Sequence, residues 1–123
     1  MKALTIRQPW AWLIMEGRKR IENRTWQASY RGPLLIHAGV YYKKKEYNDI
    51  CERVKRLRDI DIPIKDDLDF GGIVGKVNLV GIVAPQFEGE PFEEGPYCWL
   101  LSDPERISFV PFKGKLGLFD VLI

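Results

Sequence analysis

Residues 17–26 of the chain read GRKRIENRTW. Within that stretch Lys19, Glu22 and Arg24 set an amine, a carboxylate and a guanidinium close together. A partly buried lysine can act as a base or nucleophile. Glu22 can pair with that amine, accept the amino group of a base, or move a proton. Arg24 alternates with Glu22 onto the same face of an extended strand, where its planar fork suits a phosphate or a base edge. The bland alternative is an exposed strand whose Lys19–Glu22 or Glu22–Arg24 pair contributes little.

Other residues extend the candidate site. Arg7 and Gln8 precede Pro9, where a helix start would leave amides free for an anion or a ligand carbonyl; Gln8 would otherwise only cap that helix. Four tryptophans, Trp10, Trp12, Trp26 and Trp99, are many for this length. Core packing is the default for each. The short helix cannot easily bury both Trp10 and Trp12, so Trp10 and Trp26 are taken as the pocket-facing indoles, able to stack a base. His37 is the single histidine. It is either a satisfied core residue or, if it opens on the cleft, a group acting near neutral pH. Thr25 and Ser102 carry hydroxyls near the proposed walls, but neither sits in a triad pattern. GGIVGKVN lacks the spacing of a phosphate loop. Cys51 and Cys98 are far apart, so no zinc spacing exists and two reduced cysteines in a cytoplasmic protein are expected.

These residues need elements to position them. KALTI alternates as a strand. Pro9 suits the first turn of a short helix and Gly17 the position just past its end, with Trp10, Leu13 and Ile14 on one face. RIENRTW reads as a strand with Ile21, Asn23 and Thr25 on one side and Glu22, Arg24 and Trp26 on the other. PLLIHAG is nearly all apolar, a strand buried on both faces. Residues 41–58 form the clearest helix, its apolar face being Tyr47, Ile50, Cys51, Val54 and Leu57. DIDIPIKDDLDFGG and QFEGEPFEEGP read as acidic loops. GGIVGKVNLVGIVAP is one long bent strand or two short ones. YCWLLSDPERI is a strand running into a turn at Asp103 and Pro104, and KLGLFDVLI is a final strand.

With 123 residues, 46% apolar and 29% charged, the chain is expected to form one soluble domain spanning residues 1–123. It has no apolar run of about 18 residues that would span a membrane, and its start lacks the apolar region of a secretory signal. Net charge is only +2, but cations crowd the first half and acids the later loops. Such asymmetry would give a basic and an acidic face if the fold keeps the clusters apart. Two helices and about six strands predict an α+β fold, a small barrel with helices packed outside it or across one mouth.

Gly17, Lys19, Glu22 and Arg24 match the pattern G-x-K-x-x-E-x-R, which resembles the signature of the ASCH domains in the PUA-like superfamily. IRQPWAWLI, RGPLLIHA, YCWLLSDPERI and KGKLGLFDV resemble the same family in order, so the likeness covers nearly the whole chain. It implies a PUA-like small mixed β-barrel with a cleft beside the first helix, lined by the signature residues, that binds RNA or a nucleobase-like ligand. The related YTH and PUA domains also read RNA. One ASCH branch hydrolyses acetylated cytidine with a lysine, a threonine and a glutamate. Its lysine would fall on Lys19, but its threonine falls on Glu22, and a carboxylate is not a like-for-like replacement for a hydroxyl.

The expectation is therefore a binder of single-stranded RNA or a modified nucleoside, with phosphate contacts from the helix at Lys43 to Arg58 and no metal or cofactor. The alternatives are an acetylcytidine amidohydrolase or a ribonuclease using Lys19 and Glu22, and a domain that docks a protein partner through its acidic loops.

Overall fold

The computed structural model describes residues 1–86, 92 and 94–123. The elements follow as β1 (Lys2–Ile6), α1 (Trp10–Met15), β2 (Ile21–Arg24), β3 (Gly32–Ala38), α2 (Lys44–Arg58), a single 3₁₀ turn (Lys65–Asp67), β4 (Gly72–Val83), β5 (Tyr97–Pro111) and β6 (Leu118–Asp120). The acidic stretch expected around residue 90 lies mostly outside the described residues. Six strands form one curled sheet, a half-barrel, in the order β2-β5-β4-β3-β1-β6. Only β1 and β3 run parallel; the other neighbours are antiparallel.

The apolar run in β3 is buried on both faces, as its composition predicts. Leu34, Ile36 and Ala38 enter the main core with Leu4, Ile6, Ile14 and Trp99. Leu35 turns the other way, into a second cluster with Ala3, Ile73, Phe119 and Val121. A third cluster joins the helices through Leu13, Val54, Ile60 and Phe92. So Leu13 and Ile14, neighbours on α1, serve different cores. A helix of six residues is marginal alone, and this double packing holds it.

Three expectations need correction. β5 does not turn at Asp103 and Pro104 but continues to Pro111. Its register against β4 shifts between the Lys76–Glu105 and Asn78–Ser102 pairs. Asp103 adopts φ 53°, and the proline, which has no N–H to give the ladder, sits in the resulting bulge. Leu57 is not on the core face of α2: it is exposed, while Tyr47 and Val54 are buried. The cationic and acidic clusters are not kept wholly apart where α2 ends. Lys55 reaches Asp59 at 2.7 Å and Asp61 at 3.1 Å, and Lys45 reaches Asp49 at 2.8 Å. The Lys55 hydrogen bond holds Asp59 below its ordinary carboxylate range.

α1 lies close to the sheet because position 75 has no side chain. A Cβ at Gly75 would overlap the Met15 sulfur and approach the Glu105 carbonyl oxygen to 2.7 Å. The methionine could swing aside, but the strand backbone cannot. Gly75→Ala should therefore lower stability by about 1–3 kcal/mol through overpacking, read as a drop in the urea midpoint at unchanged slope.

Candidate functional site

The signature residues are placed by the end of α1. Gly17 takes φ 73°, a conformation that glycine adopts freely. The chain then folds back, so that Gly17 N–H donates to Ile14 and the N–H groups of Arg18 and Lys19 both donate to Leu13 O, at 2.9 and 3.1 Å. This reversal delivers Lys19 beneath the helix, 4% exposed, and starts β2 two residues later. On β2, Glu22 stands opposite the fully buried Trp99 of β5, which sets the carboxylate on the inner side of the sheet.

Lys19, Glu22 and Arg24 form one charged chain. Lys19 Nζ donates to the Ile21 carbonyl and to Glu22 Oε1, the latter at 3.1 Å. Glu22 Oε2 accepts from Arg24 at 2.9 Å. The same Arg24 nitrogen donates to Thr5 O at 2.6 Å, and Arg24 Nε is buried without a partner. That contact crosses from the β2 edge to β1, which lies well across the strand order. It is possible because the sheet curls, and because β6 pairs with β1 only over Lys2–Leu4, leaving Thr5 without a β6 partner. The site is therefore the open seam of the half-barrel.

Two adjoining hollows flank the charged chain. The first, of about 290 Å³, is lined by Trp10, Lys19, Glu22 and Asn23 with Arg53 and Leu57 of α2. The second, of about 390 Å³, shares Trp10, Glu22 and Asn23 and runs past Arg24 to Thr5, Arg7 and Lys115. Trp10 has Lys19 Nζ 5.7 Å and the Arg53 guanidinium 5.8 Å from its ring centroid, within cation–π range. Lys19 retains one N–H and Glu22 retains lone pairs, so a donor and an acceptor remain side by side for a ligand.

The other candidate residues fall elsewhere. Gln8 is engaged at both ends: Oε1 accepts from the Trp12 amide and Nε2 donates to Asp69 O, each at 2.9 Å. It serves as the helix cap that was its alternative role. Thr25 is exposed and lines neither hollow. Trp26 packs edge-on against Trp99, ring centroids 4.9 Å apart, and also lines neither. His37 is a satisfied core histidine, 2% exposed, between Thr5 Oγ1 and Phe112 O. Cys51 and Cys98 form no disulfide with each other. Burial pushes the Cys51 thiol up, which makes it a poor nucleophile. Among the described residues no group of acids, histidines and cysteines could hold a metal, and no helix is long and apolar enough to cross a membrane.

Sequence reasoning left Asn23 off the site, included Arg53 only within a helix offered for phosphate contacts, and gave Leu57 to the core face rather than the cleft. Asn23 was assigned to the face away from Glu22. Its Nδ2 donates to Phe92 O at 2.7 Å, and its Oδ1 accepts from Glu94 and Gly95 N–H at 2.9 and 3.0 Å. It pins the segment before β5 against the cleft. Arg53 and Leu57 are four apart on α2, a spacing that puts them on one helix face. Nothing in the sequence distinguishes that face from a solvated one.

The family model for the ASCH domain matches residues 4–111. The chain belongs to the ASCH domain family. ASCH domains are one group of the PUA-like RNA-binding folds. This ASCH domain is 29% identical over 120 residues to Activating signal cointegrator 1 of Homo sapiens, an alignment covering 91% of this chain and 21% of that protein. The Mus musculus protein of the same name matches with the same identity and coverage. The chain thus spans about a fifth of the length of these curated relatives.

Breaking the charged chain at its centre should cost more than removing it. Glu22→Ala leaves Lys19 without its carboxylate in a buried setting, and the expected loss is about 3–5 kcal/mol. The double variant Lys19→Met/Glu22→Ala removes both charges of that pair, while Arg24 keeps its bond to Thr5 O, and it should recover much of that loss; Lys19→Met alone is the cycle's other corner. A double-mutant cycle by urea unfolding measures the coupling; additive losses would show that the pair is not coupled.

Proposed function

We propose that this ASCH domain grips one base of a single-stranded RNA, or a free modified nucleoside, in the seam of its half-barrel. The observation that carries this reading is the sharing of one small cleft by the Trp10 indole and the Lys19–Glu22 donor–acceptor pair. An indole supplies a stacking surface that any base can use. An adjacent N–H donor and carboxylate acceptor suit a base edge that presents a carbonyl beside an amino group. A volume of about 290 Å³ sits at the low end for small-molecule sites, roughly 300–1,000 Å³, and favours a single base over a folded RNA element. Arg53 supplies positive charge at the mouth for a phosphate.

Hydrolysis of an acylated nucleoside, or ribonuclease action, is the second reading, since Lys19 and Glu22 are in contact and both face the cleft. It is less favoured. Lys19 Nζ donates to two acceptors and each Glu22 oxygen already holds a cation, an arrangement better suited to holding a polar ligand than to releasing a proton to it.

The test is a panel of nucleosides, acetylated cytidine included, and of labelled single-stranded RNA, with thermal shift and fluorescence anisotropy for binding and mass spectrometry for products. Binding without product is the expected result, weakened by about 1–3 kcal/mol in Trp10→Ala. Arg53→Ser should flatten the salt dependence of RNA binding by about one phosphate contact. Product from the wild type would make the domain an enzyme, and failure to bind any of the panel at low salt would end the proposal.

A further inference from the structure

The seam does not end at Arg24. A third and larger hollow, of about 870 Å³, shares Thr5, Arg7, Lys115 and Leu116 with the second one. A strand whose base sat in the first cleft would run through the second hollow, which shares Trp10, Glu22 and Asn23 with that cleft, before it reached this one.

We propose that this hollow is a second nucleotide subsite, holding a nucleotide further along the strand from the gripped base, with its phosphate against Lys113 and Lys115 and its base against the Arg7–Tyr41 pair. The proposal rests on the single-strand reading above and adds a location for the rest of the strand. Charge is the first argument. No carboxylate lines the hollow, and Arg7, Lys113 and Lys115 form no ion pair among the described residues. The α2 lysines Lys45 and Lys55 differ: both are occupied by their own acids. Unneutralised cations release counterions when a phosphate arrives, and paired ones must first give up a partner. Geometry is the second argument. The Arg7 guanidinium lies 3.9 Å from the Tyr41 ring centroid, and the Tyr41 hydroxyl donates to Glu46 at 2.5 Å. The stack is thus held from behind, and single-stranded RNA is read by stacking on aromatic rings and on arginine planes. Apolar surface is the third. Val40 and Leu116 line the hollow at 78% and 99% exposure, an apolar face that a ribose or base can cover.

The experiment compares uridine, cytidine, adenosine and guanosine 5′-monophosphates with labelled RNA hexamers of randomised sequence, by calorimetry and anisotropy across a salt series. Wild type, Tyr41→Ala, Tyr41→Phe, Lys113→Ser and Trp10→Ala are measured. The expected result is that Tyr41→Ala weakens the hexamer about tenfold while mononucleotide affinity stays within about twofold. Tyr41→Phe keeps the ring but loses the bond to Glu46, so it should weaken the hexamer by clearly less than Tyr41→Ala does. Lys113→Ser should reduce the salt slope by about 0.7, the value for one single-strand phosphate. If Trp10→Ala weakens both ligands but Tyr41→Ala and Lys113→Ser change neither, the base cleft stands and the second subsite is overturned. If the wild type binds neither ligand, both readings fall. A hexaglutamate peptide that binds as tightly as the RNA, with the same dependence on Tyr41, would overturn the proposal in favour of an acidic protein partner.

Discussion

Glu22 holds two cations that come from different directions. Lys19 arrives from the reversed chain at the end of α1, and Arg24 continues across the seam to the Thr5 carbonyl. One carboxylate therefore ties the helix, the β2 edge and β1 to each other. Such a chain is a poor source of net stability, because three charges leave water to form it. What it supplies is position: the donors and acceptors left over after pairing stand at fixed points in the cleft. A wholly apolar seam could be more stable, but would present nothing with which to recognise a polar ligand.

The seam exists because the sheet stops short of closure. β2 has four residues and β6 has three, against twelve and fifteen for β4 and β5. Short edge strands limit unwanted pairing with other chains. Here they also leave backbone and side-chain polar groups at the gap unspent. α1 packs over the sheet beside that gap, held between the barrel core through Ile14 and the α2 cluster through Leu13. Its first residue, Trp10, is left partly exposed with its ring in both hollows.

Much of this was legible in the order of residue types. The two-residue alternation of KALTI, the apolar run of PLLIHAG and the helical spacing from Tyr47 to Val54 each report a burial pattern, and burial pattern is what dictates strand and helix. The G-x-K-x-x-E-x-R spacing also has a local physical meaning. Gly17 permits the reversal, the reversal buries Lys19, and a two-residue step on β2 puts Glu22 and Arg24 on one face. The Asp103–Pro104 pair misled because a bulge and a turn draw on the same residues, and only the partner strand decides whether the chain reverses. Leu57 misled because helical periodicity says which residues share a face, but not how far the packed neighbour extends over it.

Taken alone, the sequence determined the α+β class, most of the elements and which residues could make up the charged chain, because these follow from patterns within a few residues. Tertiary structure decided where that chain stands. Arg24 meets Thr5 only because the sheet curls, and Arg53 meets Trp10 only because α2 docks beside α1. Packing around the sheet set Trp26 against Trp99 and His37 between Thr5 and Phe112. A residue's type fixes what it can bond to, but which partners reach it is set by strand order and curvature. Those depend on contacts far apart in the chain, which no local pattern records.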